Sequence, residues 1–156
     1  MQAYEYINQP KRLDDLIEKS REKERELWAK ATGSTQNNDG MPHAPGGTDK
    51  IANIVNKLIV VQKRTNDLID DYVDTKQDII NHLGMLPAKQ RIVLCWLYIE
   101  KREKRKKGQG WYYTWAEGAE ILGCTEQNIA NTRRRAIKNL QKILDAEEKS
   151  EKTIDV

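Results

Sequence analysis

Phenylalanine is absent from the 156 residues, which hold two cysteines, two histidines, four prolines and nine glycines. Each shortage removes a class of protein. So little glycine and no Phe argue against a β-sandwich, with its many tight turns. Cys95 and Cys124 lie far apart and outside any CxxC pair. They give neither a disulfide framework nor a zinc site, and a reducing cytoplasm is the default. His43 and His82 are too few and too scattered for a catalytic or metal cluster. No run of eighteen apolar residues exists, so no membrane span and no membrane partner are expected. The opening MQAYEYINQPKRLDDL lacks the apolar stretch of a secretory signal. A Gly-rich phosphate loop, an HExxH and a nucleophile–base pair are also missing. The chain is therefore read as no enzyme, with no cofactor and no catalytic or metal residue. Charge is what it has in abundance: 33% charged against 38% hydrophobic residues. That balance suits long helices with one apolar stripe better than a large globular core.

The charge is unevenly placed. Residues 1–84 carry twelve Lys/Arg and fourteen Asp/Glu, residues 85–144 thirteen and five, and residues 145–156 two and five. A basic segment between two acidic ones is the footprint of a polyanion-binding module.

Helical spacing runs from Tyr4 to Ala31, through Tyr6, Leu13, Leu16, Ile17, Leu27, Trp28 and Ala31. Pro10 is expected near the helix start, where a proline is tolerated. Residues 32–48, TGSTQNNDGMPHAPGGT, have turn composition and no periodicity, so a flexible loop with an exposed His43 is expected. A second helix follows a Thr48 or Asp49 cap and runs to Leu83. Its seam steps by three and four: Ile51, Ile54, Leu58, Val61, Thr65, Leu68, Tyr72, Thr75, Ile79. Its length calls for a partner, in part the first helix and in part another molecule. Thr65 and Thr75 weaken a pure zipper and are candidates for setting its register. Gly84 suits the residue after the helix end. The acids Asp67, Asp70, Asp71, Asp74 and Asp78 read as a solvated face, since they lack the glycine turn of a calcium loop.

The basic module starts at Pro87. One helix is expected over PAKQRIVLCWLYIEKREKRKK, burying Ile92, Val93, Cys95, Trp96, Leu97 and Ile99. Gly108 and Gly110 mark a turn. Thr114 and Glu117 form a capping box, in which hydroxyl and carboxylate each satisfy a free backbone N–H. Ile121 and Leu122 end that helix, Gly123 turns the chain, and Thr125 caps the last helix. Ile129, Ala136, Ile137, Leu140, Ile143 and Leu144 share one face of it. The polar tail from Glu147 is expected to fray. The reading is thus all-α: a long, coiled-coil-like helical hairpin over 1–84, a helix-turn-helix module over 85–146, and a tail over 147–156.

Helix, glycine turn, helix is the helix-turn-helix arrangement, with Ala119 small at the crossing and Ile129 an apolar anchor. The exposed face of the second helix offers amides and guanidinium groups, which pair bidentately with adenine and guanine. Arg133, Arg134 and Arg135 cannot all face bases, because successive residues sit about 100° apart.

LPAKQRIVLCWLYIE followed by YTWAEGAEILGCTEQNIANTRRRAIKNL resembles region 4 of bacterial sigma factors. The shared elements are the Leu-Pro start, the Gln-Arg pair, the apolar run to Tyr-Ile, Thr-x-x-Glu, the Leu-Gly turn and the closing Arg-Ala-x-x-x-Leu. They cover about residues 85–144. With ATGSTQNN, TDKIANIVNKLI and TWAEGAEILG, the whole chain resembles the phage-encoded sigma-like late regulators of the RinA/ArpU-like group. The resemblance implies a sequence-specific regulator of phage or prophage origin, working on double-stranded DNA in the bacterial cytoplasm. It also implies host RNA polymerase as a partner, and a homodimer through the N-terminal helices fits the excess helix length. By the same resemblance Gln127, Asn128 and Asn131 sit where bases are read, and Arg134 and Arg135 where backbone or flanking bases are met; Arg134 is assigned to base reading. Lys101, Arg102, Lys104, Arg105, Lys106, Lys107, Thr125, Arg133, Arg135 and Lys138 meet phosphates. For Lys101–Lys107 a merely solvated charged extension is the competing reading. Trp111, Tyr112, Tyr113 and Trp115 could stack on bases, but packing in the module core is the plainer role, with Trp115 inside it. Three departures stand out. Gly118 replaces an Ile or Val, Ala130 replaces an often basic residue, and KREKRKKGQG lengthens the connection before Thr114.

Two other classes share these parts. A small terminase subunit joins a DNA-binding helical module to an oligomerising one, and a ring of eight or more subunits would mark it. An adaptor that keeps the fold without reading DNA would fail to bind DNA specifically.

Overall fold

The structure is a computed structural model that describes residues 1–33 and 47–154. It is all-α. The helices are α1 (Ala3–Gly33), α2 (Gly47–Leu83), α3 (Ala88–Leu94), α4 (Trp115–Leu122) and α5 (Glu126–Ile154). No helix among the described residues is long and apolar enough to cross a membrane. The loop with His43 lies outside the described residues, as do the side chains of Thr48 and Asp49, the proposed caps. The backbone of α2 is already helical at Gly47.

The chain divides into two compact units, Arg12–Val73 and a second made of Met1–Lys11 with Asp74–Val156. In the first, α1 and α2 run antiparallel within one chain. Ser20 meets Thr65, Glu24 meets Gln62, and Leu27 packs with Leu58 and Val61, so numbers rise on one helix as they fall on the other. The core here is thin: Leu27, Leu58 and Val61, with Ile54 against them. Thr65 sits on the seam as its spacing predicts. Its hydroxyl lies 2.6 Å from that of Ser20, and it donates to the Val61 carbonyl at 2.9 Å. Both hydroxyls are buried and both are satisfied. A Ser–Thr contact of this kind has one good register, which apolar packing alone would not impose.

The second unit holds the main core. Ile7, Ile79, Leu83, Leu94, Ile129 and Leu140 are fully buried, with Leu86, Val93, Leu97 and Ala136 around them.

Three expectations are corrected, and Gly84 follows the end of α2 as expected but on a different backbone. Pro10 is not in the first turn but inside α1, as its eighth residue, where its ring is fully buried. Gly84 follows α2 without a positive φ. A Cβ there would lie 3.1 Å from the Asn81 carbonyl oxygen, so close approach, not left-handed backbone, favours glycine. The helix from Pro87 does not reach Lys107. It passes from α3 into a π-helical turn, Cys95–Ile99, and stops. The Glu100 N–H bonds the Cys95 carbonyl at 2.8 Å, a five-residue step. The wider turn shifts the buried face: Leu97, Tyr98 and Ile99 are buried in succession, Leu94 is core, and Ile92 is 44% exposed. Beyond Ile99 no apolar residue before Trp111 could anchor a helix. The backbone instead folds back, with Lys101 bridged antiparallel to Tyr112 and the Arg102 N–H on the Trp111 carbonyl at 2.9 Å. Finally, the segment from Glu147 does not fray; α5 continues to Ile154.

Candidate nucleic-acid interface

Two capped helices and one glycine build the candidate surface. Thr114 Oγ1 accepts from the Glu117 N–H at 3.3 Å and starts α4. The Glu117 carboxyl is held below the usual carboxylate range, chiefly by Arg102, with Thr114's hydroxyl and backbone N–H assisting. The hydroxyl half of the capping box is thus in place, as its spacing predicts. Gly123 takes the left-handed backbone, φ 65°, that a side chain would strain. The Cys124 N–H then closes onto the Ala119 carbonyl at 3.0 Å. Thr125 Oγ1 accepts from the Asn128 N–H at 3.2 Å and caps α5.

The first half of α5 has two unlike faces. Ile129, Thr132, Ala136 and Leu140 point into the core. Gln127, Arg134, Arg135 and Lys138 are exposed, and Asn128 and Asn131 are half-buried at the edge. The amides are already organised. Gln127 Nε2 donates to Asn131 Oδ1 at 3.4 Å, while Lys89 Nζ and the Thr132 hydroxyl each donate to Asn128 Oδ1 at 3.4 Å. A shallow cleft joins Asn128, Asn131 and Arg135 to Pro87, Lys89 and Gln90. Lys89 thus brings a cation to the amide cluster from α3, a residue that sequence reading passed over. Its signal was faint: one lysine just after a helix-starting proline.

Arg133 points elsewhere. Its Nε donates to the Tyr98 hydroxyl at 2.6 Å, and its guanidinium lies 5.0 Å from the Trp115 ring and 5.6 Å from that of Tyr4. Within the chain it is a brace for aromatic rings. It also explains Trp115, which is 42% exposed rather than core and carries the arginine on its face. Burial pushes the Tyr98 hydroxyl up in pKa, against the opposing pull of Arg133. Lys11 lies 4.7 Å from the Tyr98 ring and 4.9 Å from that of Tyr112, and burial, with Arg133 nearby, pulls its pKa down.

Arg102 is likewise engaged within the chain. Its side chain is only 8% exposed, paired with Glu117 and donating to the Tyr112 carbonyl at 3.0 Å. It ties the loop to the start of α4. Lys101 lies 5.8 Å from the Tyr112 ring. Lys104, Arg105, Lys106 and Lys107 are exposed, and Arg105 stacks 5.0 Å from Trp111. Trp96 and Tyr113 meet edge to face at 5.0 Å beside them. Cys95 is half-buried, and burial raises its thiol above the ordinary value, which suits a packing role over a reactive one.

One polar cluster was not foreseen. The Tyr6 hydroxyl lies 2.6 Å from His82 Nδ1, and His82 Nε2 lies 2.7 Å from the Glu147 carboxylate. Burial, then the charges of Asp78 and Glu147, push the Tyr6 hydroxyl up to about 12. Three residues spread over α1, α2 and α5 meet there, and local spacing holds no trace of that. Glu147 lies in the segment expected to fray, and this contact helps to keep it helical.

No protein-family model, curated protein or solved structure matches the chain.

Proposed function

We propose that the chain is a sequence-specific DNA-binding transcription regulator, a phage activator that acts with host RNA polymerase. In this reading α4, the Gly123 turn and α5 form a helix-turn-helix of the sigma region 4 kind, and α5 enters the major groove. The observation that carries it is the one-sided chemistry of α5. A fully apolar anchor, Ile129, holds one face while Gln127, Asn131, Arg134, Arg135 and Lys138 line the other. A helix about 10–12 Å across fits a groove about 12 Å wide. Gln127, Asn128 and Asn131 supply the amide pairs that read adenine, and Arg134 the fork that reads guanine. Lys89, Arg135 and Lys138 flank them as phosphate partners, with Lys104–Lys107 reaching further along the backbone. Removing Arg102 and Arg133 from the contact set lowers the charge available to DNA and leaves the base-reading set untouched. A single module of this size buries little DNA, so a dimer or the polymerase supplies the rest of the affinity.

The test is a pull-down of fragmented phage and host DNA by the purified full chain at two salt concentrations. The reading expects one or a few promoter-proximal sites retained at the higher salt. Uniform recovery that vanishes with salt would mean phosphate binding alone and would defeat the regulator reading.

A further inference from the structure

The face of α2 turned to α1 is only one of two helix-packing seams on that helix. Leu58, Val61 and Thr65 fill the first. A second set follows the same steps of four and three: Val55, Ile59, Gln62, Asn66, Ile69, Val73. Val55, Ile59 and Val73 are 41%, 58% and 56% exposed, whereas Ile69 is half-buried and Gln62, on the α1 side of the row, is half-buried and bonded to Glu24. Aliphatic residues thus stand at both ends of the row, Val55 with Ile59 and Ile69 with Val73, with the two amides between them.

We propose that this seam is occupied by a second copy of the chain, docked antiparallel about a two-fold axis level with Arg64. Two observations choose that occupant. The seam is a chemical palindrome. Reversed, Val-Ile-Gln-Asn-Ile-Val pairs Val55 with the second copy's Val73, Ile59 with its Ile69 and Gln62 with its Asn66. Equal side chains meet across every apolar level, and next to the axis Gln62, whose Nε2 donates to Glu24 of its own chain at 3.1 Å, presents its carbonyl oxygen to the second copy's Asn66. An isologous contact needs this self-complementarity, and a central amide pair fixes register. The second observation is charge. Between Lys50 and Arg64 the helix carries Lys50, Lys57, Lys63 and Arg64 and no acid, whereas Asp67, Asp70 and Asp71 follow with no base among them. An antiparallel partner lays each basic half beside an acidic half. A parallel one would set like beside like. Arg64 points away from the seam, so it does not block the axis.

The inference stands apart from the DNA reading: the pairing can fail while DNA binding holds, and the reverse. Its test uses the full chain. Sedimentation is expected to show a dimer, and Ile59→Asp with Val73→Asp to raise its dissociation constant at least about thirtyfold. Both residues are exposed, so circular dichroism is expected to be unchanged. Orientation is read by oxidation, with the wild type as control for Cys95 and Cys124. Positions 55 and 73 of one chain lie about 27 Å apart along the helix. Val55→Cys with Val73→Cys is therefore expected to give a covalent dimer, and Val55→Cys alone to give none. A wild type that stays monomeric throughout the concentration range overturns the proposal, whether the seam is bare or taken by another protein. So does a dimer indifferent to the two aspartates, a Val55→Cys chain that links to itself, or a ring of higher order.

Discussion

The two units bury their apolar residues to very different depths. In the unit of Met1–Lys11 with Asp74–Val156, segments of five helices converge, and Ile7, Leu83, Leu94 and Leu140 lose all contact with solvent. Among the described residues of Arg12–Val73 there are two helices and none of the largest fully buried side chains. The same amphipathic pattern thus has two outcomes. Where several stripes meet, a core closes. Where only two meet, a thin seam forms, its register rests on the Ser20–Thr65 and Glu24–Gln62 contacts, and aliphatic residues of a second stripe stay in water.

The sharpest way to break this contrast is to cut both cores. Leu94→Ala or Leu140→Ala is expected to cost about 3–5 kcal/mol, and Leu58→Ala about 2, because a thin seam can relax around the cavity. Urea denaturation measures both. Equal losses would mean that the two-helix unit is as closely packed as the other.

Next in size is the contrast between reading and holding DNA. Asn131→Ala or Arg134→Ala is expected to remove about 1–3 kcal/mol of binding to a cognate site and to leave nonspecific binding nearly unchanged. Lys104→Ala with Lys106→Ala is expected to weaken all sequences alike and to flatten log K against log salt by roughly one unit per residue. Arg133→Ala is expected to lower thermal stability and leave the salt slope alone, since its charge is spent on Tyr98 and Trp115.

A smaller effect probes the seam. Thr65→Ala strands the buried Ser20 hydroxyl and is expected to cost about 1–2 kcal/mol, whereas Ser20→Ala with Thr65→Val is expected to cost less than the single change. The smallest is a gain. A Cβ at Gly118 would meet only Leu97 Cδ2, at 3.6 Å, so Gly118→Ala is expected to stabilise α4 by about 0.5–1 kcal/mol.

The pattern of apolar residues was enough for the all-α class, for α2 to its last residue, for both threonine caps and for the turn at Gly123. Each is governed by neighbours within four positions. What escaped was governed by partners far along the chain. Arg102 and Arg133 look like any surface arginine until Glu117 and the rings of Tyr98 and Trp115 come beside them. The π-helical turn at Cys95–Ile99 leaves the apolar run unbroken in composition and changes only its phase. At Pro10 and in the segment after Glu147 tertiary packing overrides local propensity. The two seams of α2 were both present as spacing. Only the position of α1 tells which one is filled.

The central claim is that the exposed face of α5 reads DNA. Its most direct measurement follows the side-chain amide resonances of Gln127, Asn128 and Asn131 in the ¹⁵N spectrum of the full chain, as a retained DNA fragment is added. The account predicts that these three pairs shift together and slow their exchange with water, while the Gln141 amide, bonded to the Ala3 N–H and the Met1 carbonyl, does not move. If DNA binds and the three amides stay where they were, α5 does not read the sequence and the account is wrong.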